Sequence, residues 1–317
     1  MWSNIFLRSI KNGILIKPGK VVTILRLIRF SNLAIMATTV GLTYFGIIRY
    51  FLDEHLIFPN FTNFHFYVLL LGTVFCAAAG YIINDYYDIK SDKVNHHNDK
   101  WDWLSNNKPF ALILYFLFLG SGLSIFFYEV VIHDSLLAFP IVIMGNLVLW
   151  LYSRYLQHIP LLGNIAIGLL CASIIMMCWV IEFESMRLAP RADFIAISKQ
   201  VLIFSFFSFL VTFIREIVKD IEDMKGDKVI NSKTFPLVSG VSSSKKLIFF
   251  LNCLLIIAIP IWLHSSSMPI LLSTLLIIPV IWSIFLIYKG QSQDDFHNIS
   301  ILYKVEMVLG LIALWLM

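Results

Sequence analysis

Long apolar stretches alternate with short polar ones along almost the whole chain. A helix needs about 20 mostly apolar residues to cross the hydrocarbon core of a bilayer, which is about 30 Å thick. The pattern therefore predicts an all-α polytopic membrane protein, a bundle of nine transmembrane helices. The predicted segments are residues 33–51, 66–87, 110–132, 136–153, 160–182, 194–218, 246–264, 268–288 and 299–317.

The composition agrees with membrane insertion. Of the 317 residues, 59% are hydrophobic and 14% are charged, and the mean hydropathy is +0.82, whereas soluble domains are roughly 45–50% apolar. No polar segment is long enough for a separate soluble domain, so residues 1–317 are expected to form a single membrane domain. Residues 1–20 are expected to be a basic N-terminal arm on the membrane surface and not a cleaved signal peptide. The four cysteines lie in apolar stretches, as expected of helix packing.

Basic residues are distributed unevenly between the two sides of the predicted bundle. If the N-terminus is cytoplasmic, most of the 24 lysines and arginines fall in the arm and in the loops after the even-numbered helices. The positive-inside rule then places the N-terminus and those loops in the cytoplasm. The net charge of +4 is explained by this topology and does not indicate nucleic-acid binding. We expect an integral protein of a bacterial inner membrane.

Two polar stretches at the ends of apolar segments repeat one pattern. The stretches "NDYYDIKSDK" (84–93) and "KDIEDMKGDK" (219–228) each carry three aspartates at positions i, i+3 and i+7. On a helix this spacing puts the three carboxylates along one face. Both stretches follow helices of the same parity, so they lie on the same side of the membrane. The aspartates are Asp85, Asp88 and Asp92 in the first motif and Asp220, Asp223 and Asp227 in the second.

So many carboxylates at a membrane surface need a counter-charge. Like charges at these spacings repel, and ionised groups near the bilayer are costly unless compensated. Mg²⁺ prefers carboxylate oxygens and commonly shares its remaining sites with substrate phosphates. Two facing motifs could therefore hold Mg²⁺ with a diphosphate between them. The neighbouring Arg154, Arg215 and Lys219 are candidate phosphate contacts on the same side.

The motifs resemble those of the UbiA superfamily of intramembrane prenyltransferases. Residues 84–92 match the first family signature, Asn-Asp-x-x-Asp-x-x-x-Asp, and residues 223–227 match the second, Asp-x-x-x-Asp. "RFSN" (29–32) is similar to the family's entry to its first helix, and "LYSR" (151–154) to the stretch between helices 4 and 5. The segment "REIVKDIEDMKGDK" followed by "KTFPLVSG" looks most like the digeranylgeranylglycerol-phosphate synthase branch.

The resemblance implies a fold, a reaction and a set of residues. The fold is a nine-helix bundle around a central cavity, capped by the motif loops. The reaction is Mg²⁺-dependent transfer of a prenyl group from an allylic diphosphate, with geranylgeranyl diphosphate as the candidate donor, to geranylgeranylglycerol phosphate. The implied catalytic Mg²⁺ ligands are Asp85, Asp88, Asp92, Asp223 and Asp227. The implied diphosphate and substrate contacts are Asn32, Asn84, Tyr152, Arg154, Arg215, Lys219 and Asp220.

Several alternatives remain open from the sequence. The acceptor could be an aromatic quinone precursor, such as 4-hydroxybenzoate or dihydroxynaphthoate, or haem. After the first motif, "NHHNDKWDWLSNNKP" keeps Asn95 but lacks the family's usual proline and arginine, so Lys100 is a candidate substitute and an inactive scaffold is an alternative. His96 and His97 are expected to be solvent-exposed and not metal ligands. An ion-coupled transporter is the competing class, but it predicts acids near mid-span and inverted repeats.

Overall fold

The structure, a computed structural model, describes residues 20–95, 99–265 and 270–315. Within these ranges the chain is helical and contains no β-strand. Residues 1–19 of the basic arm, and His96 and His97, lie outside the described residues. The helices are α1 (Lys20–Leu27), α2 (Phe30–Glu54), α3 (Asn63–Asn95), α4 (Asp99–Asn106), α5 (Lys108–Ile132), α6 (Ala138–Arg154), α7 (Leu162–Ile181), α8 (Phe183–Met186), α9 (Arg191–Glu222), α10 (Met224–Val229), α11 (Phe235–Ser239), α12 (Val241–Ser265), α13 (Ile270–Lys289) and α14 (Gln293–Trp315).

Seven of the described helices are long and apolar enough to cross a membrane. They are α2, α3, α5, α7, α9, α12 and α14. Two further apolar helices, α6 and α13, are shorter. Every predicted apolar segment overlaps one of these helices.

The two helices that carry the aspartates are longer than the apolar pattern predicts. The predicted segments end at residues 87 and 218, whereas α3 continues to Asn95 and α9 to Glu222. Hydropathy detects only the part of a helix that is apolar. The aspartates of the first motif remain within the helix. They therefore keep the helical spacing that puts them along one face.

Helices α3 and α5 form the most extensive helix pair in the structure. Their backbones meet where Gly72 faces Gly122, because a Cβ atom on Gly122 would lie 2.8 Å from the carbonyl oxygen of Gly72. Small residues allow this close approach, which drives helix association in membranes. Helix α9 packs mainly against α7, α14 and α12.

Six helices surround one cavity. Its lining comes from α2, α3, α6, α7, α9 and α14, which agrees with the predicted bundle around a central cavity. Two large apolar cores pack the bundle. One includes the stacked rings of Tyr44 and Phe66, whose centroids are 3.7 Å apart. The other groups α9 with α12, α13 and α14 around buried residues such as Ile214 and Tyr303.

Candidate functional site

Two cavities of opposite character meet at one end of the bundle. The first, which we call the apolar cavity, has a volume of about 340 Å³ and is lined mainly by apolar side chains. That volume lies in the range of roughly 300–1,000 Å³ usual for small-molecule sites. The second, which we call the acid cavity, has a volume of about 50 Å³ and polar walls. The residues that line both are Arg29, Asn84, Tyr152, Glu216 and Lys219.

Carboxylates dominate the acid cavity. Those that line it are Asp88, Asp92, Glu216, Asp220, Asp223 and Asp227. Among the described lining residues, only Arg29 and Lys219 carry a permanent positive charge. The lining therefore has more negative than positive charge, and its donors are oxygens. This donor set suits a hard divalent cation such as Mg²⁺, which takes carboxylate oxygens, water and phosphate as ligands.

Amide side chains orient the first motif on α3. Asn84 Nδ2 donates a hydrogen bond to Asp88 Oδ2 at 2.7 Å, and Gln157 Nε2 donates to Asp88 Oδ1 at 2.7 Å. Gln157 is itself fixed by a second bond from Nε2 to the carbonyl oxygen of Ser153, at 2.8 Å. Both oxygens of Asp88 therefore accept hydrogen bonds from neutral donors. Such contacts fix the direction of the carboxylate without neutralising its charge.

The second motif spans the end of α9 and the short helix α10. Asn164 Nδ2 donates to Asp220 Oδ2 at 2.8 Å, and Lys219 Nζ lies 3.9 Å from Asp223 Oδ2. Asp227 lies on α10, where burial and the neighbouring Asp223 raise its pKa to about 6. Burial and a like charge both disfavour the ionised form of this carboxylate, so a positive charge nearby would favour it. A bound cation would supply that charge.

The two motifs are held together where α3 packs closely against α10. Asn95 Nδ2 donates to the carbonyl oxygen of Asp223 at 3.0 Å, and its Oδ1 accepts a bond from the Gly226 amide at 2.7 Å. Ser91 Oγ lies 3.4 Å from Asp227 Oδ1. A Cβ atom on Gly226 would overlap the Ser91 carbonyl oxygen, so only glycine allows this approach. The Asn95 retained in the sequence thus joins the motifs.

The structure places Asp85 apart from the other predicted metal ligands. Its carboxylate is fully buried, lines neither cavity and accepts a 2.8 Å hydrogen bond from Arg29. It also forms an ion pair with Lys100, whose pKa is lowered by burial although Asp85 opposes this effect. Asp85 lies one turn closer to the middle of α3 than Asp88. There a carboxylate needs direct cationic partners, because burying an unpaired charge is costly.

Arg29 links Asp85 to the cavities. It precedes α2 in the left-handed conformation (φ 50°, ψ 55°), which is uncommon for a residue other than glycine. Its guanidinium donates to Asn84 Oδ1 at 2.9 Å and lies 5.3 Å from the centroid of the Tyr81 ring. The charge of Arg29 is thus placed where the apolar and acid cavities join.

The remaining predicted contacts fall into three groups. Tyr152 and Lys219 line both cavities, whereas Asn32 and Arg215 line only the apolar one. Arg215 also pairs with Glu216 at 2.7 Å. The prediction that Arg154 contacts the diphosphate does not fit its position, because its side chain is exposed and lines neither cavity. Its guanidinium instead packs over the rings of Trp150 and Tyr155.

Several residues of the site were not predicted from the sequence. Arg29 lines both cavities and stands in "RFSN", where the resemblance gave a role only to Asn32. Gln157 and His158 belong to a short 3₁₀ turn, Leu156–His158, that no periodic pattern marks. This turn is tied to the second motif's loop, since the Lys233 amide donates to the His158 carbonyl oxygen at 3.2 Å. Other lining residues that went unpredicted include Ser91, Glu216, Ile230, Thr234 and Lys304.

Known proteins similar to this chain agree on its family. Residues 39–305 match the UbiA prenyltransferase family. The digeranylgeranylglyceryl phosphate synthase of Methanobrevibacter smithii is 27% identical over 252 residues, which cover 77% of this chain and 83% of that protein. The enzyme of the same name from Methanosphaera stadtmanae is 28% identical over 258 residues, covering 78% of this chain and 86% of the relative.

Solved structures share the fold. A digeranylgeranylglyceryl phosphate synthase structure superposes with a TM-score of 0.62 at 25% identity, covering 94% of this chain and 98% of the other. A UbiA homologue from Archaeoglobus fulgidus, bound to GPP and Mg²⁺, superposes with a TM-score of 0.59 at 18% identity, covering 93% and 100%. The chain is therefore an integral membrane protein that belongs to the UbiA prenyltransferase family, an enzyme family that transfers prenyl groups.

Proposed function

We propose that this protein transfers a prenyl group from an allylic prenyl diphosphate to a geranylgeranylglycerol phosphate lipid, with Mg²⁺ as cofactor. One observation carries the proposal: an apolar cavity that suits an isoprenoid chain opens onto a carboxylate-lined cavity that suits Mg²⁺ and a diphosphate. The names of the relatives described above point to the same lipid product. The UbiA homologue from Archaeoglobus fulgidus has been solved with the prenyl diphosphates GPP and DMAPP, each together with Mg²⁺.

The carboxylates of the acid cavity would hold the metal. We assign Asp88, Asp92, Asp223 and Asp227 as its ligands, because their side chains line one cavity and come from both motifs. Asp220, held by Asn164, would orient water or phosphate beside them. When bound, Mg²⁺ supplies Lewis-acid stabilisation of the negative charge that develops on the leaving diphosphate.

The chain's own cations would bind the diphosphate at the junction of the two cavities. Arg29 and Lys219 line both cavities and present guanidinium and ammonium hydrogens to phosphate oxygens. Asn84 and Asn32 present amides nearby. Because Arg29 is already bonded to Asp85 and Asn84 to Asp88, these two groups need little rearrangement when the substrate binds. Arg215 would contact the substrate from the apolar side.

The walls of the apolar cavity would set the course of the reaction. The allylic C–O bond breaks and the diphosphate leaves with the bonding electrons. The side chain of Tyr152 lines the junction, where its ring can face the resulting allylic cation. Apolar walls exclude water, which would otherwise capture the cation. The acceptor hydroxyl then forms the new C–O bond and gives up its proton to the released diphosphate.

The orientation in the membrane also belongs to the proposal. We propose nine crossings, made by the seven long apolar helices together with the shorter α6 and α13. The uneven distribution of lysine and arginine favours a cytoplasmic N-terminus and a cytoplasmic acid cavity. A bacterial inner membrane was expected from the sequence, and the relatives named above come from archaea.

One assay tests the proposed reaction. Purified protein is incubated with Mg²⁺, labelled geranylgeranyl diphosphate and, in separate reactions, geranylgeranylglycerol phosphate, 4-hydroxybenzoate or dihydroxynaphthoate. We expect label to enter a lipid product with the first acceptor, and none to do so when Mg²⁺ is replaced by EDTA. Transfer to an aromatic acceptor alone would contradict the proposed lipid acceptor. Transfer to none of the acceptors would contradict the proposed reaction.

A further inference from the structure

A second group of polar side chains lies at the opposite end of the α3–α5 pair. It consists of His65, near the start of α3, with Glu129 and His133, near the end of α5. His65 and Asp92 lie on the same helix and are roughly 40 Å apart at about 1.5 Å of rise per residue. This group, which we call the histidine cluster, is therefore separate from the acid cavity and takes no part in the function proposed above.

The three side chains already converge. Each offers one ligand atom, and these atoms all lie within 4.8 Å of one another. His65 Nδ1 lies 3.0 Å from Glu129 Oε2, and His133 Nδ1 lies 3.7 Å from the same oxygen. Bonds of about 2.0–2.2 Å to a metal would hold its ligands within about 4.4 Å of each other. Small side-chain rotations would therefore complete a three-ligand set.

Glu129 needs a positive partner. Its side chain is 2% exposed, and its described ion pairs are both with histidines. Histidine is neutral over much of the physiological pH range, and a buried carboxylate without a cation is costly. Either a protonated histidine or a bound metal ion can supply the charge. A metal would satisfy the carboxylate and both rings at once.

Surrounding contacts hold the ligands in place. The Phe61 ring stacks on His133 with centroids 4.2 Å apart, and Asn60 Nδ2 donates to the His133 carbonyl oxygen at 2.7 Å. His133 Nδ1 also lies 2.9 Å from the Glu129 carbonyl oxygen. A ring nitrogen that donates its hydrogen to a carbonyl cannot bind a metal at the same time, so an ion bound at Nδ1 would replace this hydrogen bond. The exposed side of the cluster is His65, at 31%, which leaves a route for an ion.

We propose that the histidine cluster is a binding site for Zn²⁺ or another divalent late transition-metal ion. Two imidazole nitrogens and one carboxylate oxygen are a ligand set that suits Zn²⁺ and other late transition metals, and does not suit Mg²⁺. With three protein ligands, a fourth position is left to water or to another ligand. By joining α3 to α5, the ion would stabilise the end of the bundle opposite the acid cavity.

The test uses full-length protein that carries no histidine tag and has been stripped with chelator in detergent. Millimolar Mg²⁺ is present throughout, so that the carboxylates of the acid cavity are occupied. Zinc is added and, after gel filtration, measured per chain by mass spectrometry; Co²⁺ is used in parallel, because its visible absorption reports nitrogen and oxygen ligands. We expect one Zn²⁺ per chain and a higher unfolding temperature with zinc than without it.

The variants His65→Gln and Glu129→Gln keep similar side-chain volumes while removing a ligand. We expect each to weaken zinc binding by more than the roughly 10- to 100-fold that loss of an outer-shell partner costs. Each should also lose the Co²⁺ spectrum and keep the Mg²⁺-dependent transfer of prenyl groups. The matched control is His55→Gln, which changes a histidine that contacts Asp193 outside the cluster and should bind zinc normally.

Opposite results overturn the proposal. Wild-type protein that retains less than a tenth of an equivalent of zinc shows that the cluster is a hydrogen-bonded network only. Zinc retained equally by wild type, His65→Gln and Glu129→Gln places the ion elsewhere. The double variant His96→Ala/His97→Ala tests one alternative source, the two adjacent histidines. We expect it to bind zinc as the wild type does, and loss of its zinc would place the ion at those histidines.

Discussion

The two aspartate motifs share one spacing but have different surroundings. All three aspartates of the second motif line the acid cavity, whereas the first motif presents only Asp88 and Asp92 there. Its third member, Asp85, is buried against Arg29 and Lys100. Equal spacing along two helices therefore does not give equal roles, because the partners of each carboxylate come from other parts of the chain.

The depth of a carboxylate along its helix decides what it can do. Asp88 and Asp92 lie nearer the end of α3 and face a polar cavity. One turn further in, Asp85 must be neutralised by side chains from outside the helix. Arg29, before α2, and Lys100, on α4, provide that charge. Asp85 thus contributes to the site by holding Arg29, a cation that lines both cavities.

The largest effect is expected from neutralising a carboxylate of either motif in the acid cavity. Asp88→Asn and Asp223→Asn each remove one negative charge without changing side-chain size. We expect each to lower the rate of prenyl transfer by about 10³-fold, as is typical when a group that stabilises developing charge is lost. The concentration of Mg²⁺ needed for half-maximal rate should rise as well. Steady-state rates measured across a Mg²⁺ titration test both expectations.

Glu184→Gln is the matched control, because this exposed acid pairs with Arg187 and lines neither cavity. It should behave as the wild type. An aspartate variant that keeps more than a tenth of the wild-type rate, with unchanged Mg²⁺ dependence, would remove that aspartate from the set of metal ligands.

The second prediction separates Asp85 from its neighbours in the motif. Asp85→Asn leaves Arg29 and Lys100 without their buried carboxylate, and breaking a buried ion pair costs about 3–5 kcal/mol of stability. We therefore expect a lower unfolding temperature and a reduced rate of transfer because Arg29 is less well held. The half-saturating Mg²⁺ concentration should stay close to that of the wild type. Thermal unfolding and Mg²⁺ titration of the same preparation measure the two effects.

Asp53→Asn serves as control, since Asp53 forms an exposed pair with Arg49 that is expected to add little stability. Asp85→Asn could instead raise the half-saturating Mg²⁺ concentration as much as Asp88→Asn does and leave the unfolding temperature unchanged. Asp85 would then be a metal ligand, as the resemblance implied.

Apolar periodicity predicted the helices well and their ends poorly. The segment predicted at residues 66–87 lies within α3, but the helix runs from Asn63 to Asn95. A hydropathy pattern depends on contact with lipid, and helical hydrogen bonding continues after that contact ends. Proline did not interrupt the helices as its chemistry alone suggests, because Pro260 and Pro279 lie inside α12 and α13.

The site was predictable where its residues share a helix and unpredictable where they meet across the fold. The aspartate motifs could be found because their spacing is local. Gln157, which donates to Asp88, comes from a short turn far away in the sequence, and no local pattern distinguishes it from a surface glutamine. Arg154 illustrates the converse, because its position near a helix end suggested a phosphate contact and its side chain lies outside both cavities.

A smaller effect is expected at the junction between the motifs. Gly226→Ala puts a methyl group where Ser91 and Asn95 already touch the backbone. Overpacking of this kind usually costs about 1–3 kcal/mol, and relief of the clash would move α10 and Asp227 away from α3. We expect lower thermal stability and a weaker apparent affinity for Mg²⁺. Gly120→Ala, at a helix position with no atom within 4 Å of the new group, should change neither.

The smallest effect should come from Gln157, which holds one oxygen of the first motif. Gln157→Ala removes the 2.7 Å hydrogen bond to Asp88, while Asn84 still donates to the other oxygen. A hydrogen bond to a charged group contributes about 1.5–3 kcal/mol, so we expect a loss of rate of about 10-fold at saturating Mg²⁺. Gln291→Ala, at an exposed position, is the control. A loss as large as that of Asp88→Asn would mean that Gln157 itself contacts the diphosphate, because the acid cavity that it lines adjoins the proposed diphosphate site.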